Sequence, residues 1–264
     1  MSRLLGAAEV PDDREPSGIT PAHEQLSVED VRFAYRADHD VLHGISLDLR
    51  PGERVAVVGP SGAGKSTLGR LLAGIHPPRT GRVTVGDADL VGLPLEDLRR
   101  EVALVTQEHH VFIGTIRDNV ALGRADADDV AVRRALDAVD ALSWVDELPA
   151  GIDTEVGGDA LALSVAQAQQ LALARIVLVD PHTLVLDEAT SLLDPRSARH
   201  LERSLAAVVA DRTVVAIAHR LHTAHDADRV AVVEDGRVAE LGSHDELLDR
   251  GGSYAALWEA WTDS

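Results

Sequence analysis

Residues suited to phosphate chemistry are concentrated in Gly59-Pro60-Ser61-Gly62-Ala63-Gly64-Lys65-Ser66-Thr67. Glycines at positions 59, 62 and 64 permit a tight turn that points successive backbone N–H groups at one place, and a helix start adds its partial positive charge there. Lys65 is a mobile cation for the outer phosphates of a nucleotide, and the Ser66 hydroxyl is placed to ligate Mg²⁺. An ordinary glycine turn would need no Lys-Ser pair at this point. A second concentration is Asp187-Glu188, two adjacent carboxylates that close the apolar run Thr183–Leu186. Paired acids ending a buried strand are costly unless a cation faces them, and the carboxyl ends of strands are where open α/β sheets bind ligands. Gln107 and His219 also follow apolar runs, at Glu101–Thr106 and Thr213–Ala218. Gln107 is either a ligand or metal contact or a plain loop residue.

The elements that must hold these groups are legible in outline. Arg54–Val58 reads as a strand before the glycine loop, and Leu68–Ala73 as the helix after it. Leu26–Leu49 alternates in strand-like runs broken around Ala37–Asp40, with Tyr35 at the end of the first run, and Arg82–Val85 is a further strand. Residues from about 112 to 178 change character: Val130–Val139, Ala141–Leu148 and Gln167–Leu178 carry helical spacing, which predicts an inserted helical subdomain. Asp194-Pro195 opens a helix expected to run to about Ala210. Val230–Val233 and Arg237–Glu240 flank Asp235-Gly236, a favoured hairpin turn, and Ser243–Glu246 fits a capping box. Residues 1–24 read as a linker, with Pro11, Pro16, Gly18 and Pro21, before a domain spanning 25–264.

Composition narrows the class. With 44 acids against 25 lysines and arginines, the net charge of −19 argues against a nucleic-acid-binding surface, while the glycine loop supplies its own local positive field. The chain has no cysteine, so disulfides and thiolate metal sites are excluded. Leu161–Val179 is the nearest thing to an apolar run of about 18 residues, and Gln167, Gln169, Gln170 and Arg175 break it. His219, His222 and His225 recur at spacings of three, but no carboxylate spacing supports a metal site there. The acids of Asp126–Asp129 read as a solvated helix start.

In this order the motifs resemble those of the ATP-binding-cassette (ABC) ATPases, from about residue 26 to 261. Gly59–Thr67 is similar to the Walker A loop, Gln107 to the Q-loop glutamine, and Leu184–Glu188 to Walker B with its catalytic glutamate. Leu163-Ser164-Val165-Ala166-Gln167 stands at the signature, Ser191–Asp194 at the D-loop, His219 at the switch histidine and Tyr35 at the aromatic that stacks on adenine. The resemblance implies an α/β P-loop NTPase with a RecA-like parallel core, an antiparallel β-subdomain and the helical insertion. It implies ATP and Mg²⁺ as cofactors, with Ser66, Gln107 and, through water, Asp187 as metal contacts. Glu188 is then the base that activates water, Gln107 and His219 complete the catalytic set, and Ser164, Gln167 and Asp194 face the nucleotide of a second cassette in a head-to-tail dimer.

Gly114-Thr115-Ile116 followed by Asn119, and Thr154-Glu155-Val156-Gly157, look like the exporter branch. There the cassette is fused behind a transmembrane domain on the cytoplasmic face of the membrane, and Ser2–Pro11 is similar to the linker leaving it. One departure matters. The family signature is Leu-Ser-Gly-Gly-Gln, and here Val165 and Ala166 replace both glycines, while Ala168 and Gln170 stand where basic residues are usual. A branched side chain at a helix start obstructs close approach to phosphate. The expectation is therefore a heterodimer with asymmetric ATP sites. The rivals are a regulatory cassette with little hydrolysis and a soluble, non-transport ABC ATPase, which predicts basic patches, coiled-coil or zinc insertions that this chain lacks.

Overall fold

The alternating run after residue 25 forms two antiparallel strands, β1 (Leu26–Phe33) and β2 (Leu42–Leu49). The computed structural model describes residues 19–36, 39–106, 110–187, 208–209, 211–218 and 221–262. Gln107, Glu188, Asp194, His219, most of the 1–24 linker and nearly all of the helix expected after Asp194 lie outside the described residues. Then come β3 (Arg54–Val58), helix α1 (Lys65–Leu72), β4 (Thr80–Val85), β5 (Ala88–Asp89), α2 (Leu95–Glu101) and β6 (Val102–Val105). β1 pairs with both β2 and β4, giving an antiparallel sheet of order β2-β1-β4-β5.

The middle of the chain holds β7 (Gly114–Thr115), α3 (Ile116–Ala121), α4 (Asp129–Ala138), α5 (Leu142–Asp146), β8 (Glu155–Val156) and α6 (Val165–Val179). After it come β9 (Thr183–Asp187), β10 (Thr213–Ile217), β11 (Arg229–Glu234) and β12 (Arg237–Gly242). Among the described residues these last four join β3 and β6 in a sheet of order β12-β11-β3-β10-β9-β6. It is parallel throughout except for the β11–β12 hairpin. This is the mixed α/β fold expected from the sequence. No helix among the described residues is long and apolar enough to cross a membrane.

The parallel sheet is covered on both faces, which is why its strands read as continuous apolar runs. In β3, Val55 and Val57 enter the core shared with α1 and the antiparallel sheet, whereas Ala56 and Val58 enter a core with Tyr254 and Leu247. Helices α3–α6 build a third core around Ile116, Leu136 and Leu171, into which Leu184 of β9 also packs. The short β7–β8 pair within this helical region carries no sequence signal, since two-residue strands show no alternation. Glu101 ends α2 rather than opening β6, because the strand begins only where Val102 pairs with Thr183.

An ion pair between the half-buried Arg229 and the buried Glu53 joins the two sheets. The Arg229 guanidinium at the start of β11 donates to Glu53 Oε2 at 2.7 Å and to the Asp48 carbonyl of β2 at 2.6 Å. Glu53 also accepts from Arg50 N at 2.9 Å. Burial pushes the Glu53 carboxyl up, but the bonds and charge of Arg229 and the Arg50 amide outweigh it and hold the group below its ordinary 4.5. A carboxylate with a depressed folded-state pKa contributes stability above the unfolded value and loses it as pH falls through the folded one. Glu53→Gln should therefore cost on the order of 2 kcal/mol at pH 7. The gap between variant and parent should close as pH drops below about 4.5. Urea unfolding of both chains across this range measures it, and a gap that persists at low pH would contradict the assignment.

Candidate nucleotide site

The loop Gly59–Gly64 leaves the end of β3 and delivers the chain into α1 at Lys65. Two glycines in it are sterically required. At Gly59, with φ of 142°, a Cβ would stand 2.0 Å from the Val233 carbonyl oxygen of β11. At Gly64, in the left-handed region with φ of 101°, a Cβ would meet Leu42 Cδ2 at 2.7 Å. The β11–β12 turn braces the loop further, as Gly236 N donates to the Ala63 carbonyl at 3.1 Å. Asp235 and Gly236 both have positive φ, as the favoured two-residue hairpin turn requires.

Lys65 is buried, and its ammonium donates to the carbonyls of Gly59 at 2.8 Å and Pro60 at 2.9 Å. Next to it the Ser66 hydroxyl donates to Asp187 Oδ1 at 3.2 Å. The two motifs, 121 residues apart in sequence, thus meet at the carboxyl end of the parallel sheet. Helix α1 can lie this close because Gly69 faces Ile217 and Val185, where a Cβ would come within 2.8 Å of Ile217 Cδ1. Strand register aligns the other motif strands. Asp187 is opposite Ile217, Leu186 is opposite Val105, and Ile217 is opposite Val57. Gln107, Glu188 and His219 follow these strand ends in sequence but lie outside the described residues.

Tyr35 stands two residues past the end of β1 and is 51 % exposed, so it is not a packed strand aromatic. Its hydroxyl lies 3.2 Å from Thr67 Oγ1 and accepts from Arg70 Nη1 at 3.2 Å. Phe33 and His76 stand perpendicular to its ring, at 4.9 and 5.7 Å between centroids. Burial, and then the charge of Arg70, hold His76 below its ordinary value. Pro60, Ser61 and Gly62 complete the loop, with Ser61 and Gly62 exposed to solvent.

Ser164 is the N-cap of α6. Its hydroxyl accepts from Gln167 N at 3.3 Å while Gln167 Oε1 accepts from Ser164 N at 3.0 Å. The Ser164 proton remains able to donate to a ligand. Val165, the first residue of the helix, is 65 % exposed. Gln170 does not face solvent as a basic residue would. It accepts from the Trp144 indole at 3.0 Å and donates to the carbonyls of Val139 and Asp140, both at 3.0 Å. The Ser-x-x-Gln pattern at 164–167 was a readable capping signal, as was Thr-x-x-Asp at 115–118, which caps α3 in the same reciprocal way.

A polar knot that no sequence motif announces holds His110 and Phe112. Arg175 donates to the carbonyls of Asn119 and His110 at 2.6 and 2.8 Å and to Asn119 Oδ1 at 2.8 Å, with Phe112 under its guanidinium. The knot presents Phe112, Ile113 and Leu122 at the surface, Ile113 being 83 % exposed, beside a cavity of about 410 Å³ between α6 and β6.

Comparison with known proteins bears on this geometry. Residues 42–191 match the sequence model of the ABC transporter family. The ATP-dependent lipid A-core flippase of Ralstonia nicotianae is 44 % identical over 260 residues, which is 96 % of this chain and 44 % of that protein. The mycobactin import ATP-binding/permease protein of Mycolicibacterium smegmatis is 42 % identical, over 93 % of this chain and 28 % of its own length. A solved bacterial Atm1-family ABC exporter with ATP bound superposes with a TM-score of 0.81 at 39 % identity, covering 96 % of this chain and 44 % of that one. The chain therefore spans less than half the length of these relatives.

The close approach at Gly59 yields a test. Gly59→Ala should force the loop off β11, lowering stability by about 2 kcal/mol or more and the melting temperature by about 4–8 °C. Binding of a triphosphate, followed by calorimetry, should be lost with it. A variant that melts and binds like the parent would show that the loop adjusts freely.

Proposed function

The chain belongs to the ABC transporter family as one of its ATPase cassettes, and on that premise we propose that its ATP hydrolysis drives export through a membrane domain not present among the described residues. The observation that carries the reading is the meeting of Ser66 Oγ with Asp187 Oδ1 at 3.2 Å, beside the buried Lys65 ammonium. Oxygen donors of this kind suit Mg²⁺. Ser66 would hold the ion directly, with Asp187 through water and Gln107, two residues past β6 in sequence. When bound, the ion neutralises charge on the β and γ phosphates. Lys65 exchanges its loop carbonyls for phosphate oxygens, and Tyr35 stacks on the adenine. Glu188, next to Asp187, takes the proton of the attacking water, and His219, just past the end of β10, contacts the γ-phosphate. Register supports this division of labour, because Asp187 and Ile217 are paired residues on adjacent strands.

The membrane domain would dock on Phe112, Ile113 and Leu122, an apolar exposed face that the Arg175–Asn119 knot holds in place. A flippase and an exporter among the similar proteins support export and a location at the cytoplasmic face of the membrane. The second cassette would be a different chain. Val165, exposed at the start of α6, blocks backbone contact with the partner's ATP, so a homodimer would carry two weakened sites. A partner with an intact Leu-Ser-Gly-Gly-Gln would complete one competent site on this chain's Lys65, Asp187 and Glu188.

In the reconstituted pair, Glu188→Gln should lower ATP turnover by about 10² or more while ATP is retained. The same change at the partner's equivalent glutamate should matter little. Equal losses from both, or full turnover by a homodimer of this chain, would defeat the asymmetric assignment, and unchanged turnover in Glu188→Gln would defeat the base. Separately, Ile113→Asp should uncouple transport from the cassette, lowering transport severalfold while nucleotide affinity of the chain stays at the parent value; unaltered transport would remove the docking face from the reading.

A further inference from the structure

We propose that Arg70 is a positioning residue for nucleotide-base recognition, holding Tyr35 in a fixed orientation on helix α1. This rests on the reading that Tyr35 stacks on the adenine. The supporting geometry is local and complete. Arg70 Nη1 donates to the Tyr35 hydroxyl at 3.2 Å, which leaves the phenol proton for Thr67 Oγ1, also at 3.2 Å. Donor and acceptor roles are consistent along the line, since arginine can only donate and the two hydroxyls can do both. The ring is also flanked by Phe33 and His76, which are stacked on each other and perpendicular to it. Half of the tyrosine surface nevertheless stays open to solvent.

A surface tyrosine without these contacts would sample several rotamers and lose that freedom on stacking. Ordering one such side chain costs binding a factor of about 2–10. The tether removes that loss in advance. Both anchors, Thr67 and Arg70, lie on the same helix as Lys65 and Ser66, in its first two turns. The base platform is therefore fixed to the element proposed to carry the phosphate groups, rather than only to its own chain neighbours past β1. The distance between base and phosphate subsites becomes a property of α1, and a nucleotide is measured against one rigid ruler.

The test compares binding of ATP with binding of inorganic tripolyphosphate to the same chain, by calorimetry. The ratio of the two affinities isolates the base. Arg70→Ala should reduce that ratio by about three- to tenfold through weaker ATP binding, with tripolyphosphate affinity unchanged. Tyr35→Phe, which keeps the ring and loses the hydroxyl, should give the same reduction, and adding Arg70→Ala to it should cause no further loss. Arg70→Lys, which restores a donor, should recover part of the preference. Tyr35→Ala should abolish the preference for ATP. If Tyr35→Ala leaves the ratio unchanged, the stacking reading itself falls. If Tyr35→Ala lowers it and Arg70→Ala does not, the positioning role falls alone. Equal weakening of ATP and tripolyphosphate in Arg70→Ala would assign the arginine to phosphate charge and overturn the proposal.

Discussion

The close approach of two backbones, at Gly59 and Val233, constrains everything else in this cassette. No side chain fits between the turn that leaves β3 and the carbonyl of β11, so the loop must pass flush against the neighbouring strand. The hairpin that continues β11 then closes over it through the Gly236–Ala63 bond. The same turn reaches the antiparallel sheet, since His43 N donates to the Gly236 carbonyl at 2.8 Å. Gly236 leaves almost as little room as Gly59 does, since a Cβ there would stand only 2.2 Å from the Val41 carbonyl oxygen. One short hairpin therefore fixes the loop and locks both sheets to it, and Glu53–Arg229 repeats the connection at the opposite end of β3 and β11.

From that fixed loop the chemistry is assembled by register. A parallel sheet sends every carboxyl end to one edge, and α1 lies against that edge because Gly69 lets it approach β9 and β10. Ser66 and Asp187 come into contact for this reason, without any long side chain bridging a gap. The helical region behaves differently. Its own core holds α6 in place, and polar side chains of α6 tie it to its surroundings, Gln170 to the Val139 and Asp140 carbonyls and Arg175 to that of His110.

The parallel strands and the glycine loop were legible because their causes are local: continuous apolar runs, and glycines beside a Lys-Ser pair. The Asp235-Gly236 turn and the Ser243 cap were legible for the same reason. Gly59 announced itself as part of a motif, but its reason, a carbonyl 174 residues away, could not be read from the chain, because sequence does not say which strands are neighbours. The alternating run puts Tyr35 at a strand end, whereas the strand stops at Phe33 and the tyrosine bonds to α1 through partners 32 and 35 residues distant. Gln170 shows the opposite difficulty. It stood out as a missing basic residue, yet its three bonds to Trp144 and to the carbonyls of Val139 and Asp140 give it a structural purpose of its own.

The Lys65 ammonium bonded to Gly59 and Pro60 carries a thermodynamic consequence. The loop's own carbonyls are ligands for the same cation that a phosphate seeks, held at high effective concentration because they are six and five residues away on one chain. Any incoming anion is credited only with the difference between its bonds and theirs. A single phosphate would offer little over two well-placed carbonyls, while a chain of phosphates would engage the lysine and the loop amides together. On the proposed reading, the lysine would discriminate by the number of phosphates and not by charge alone.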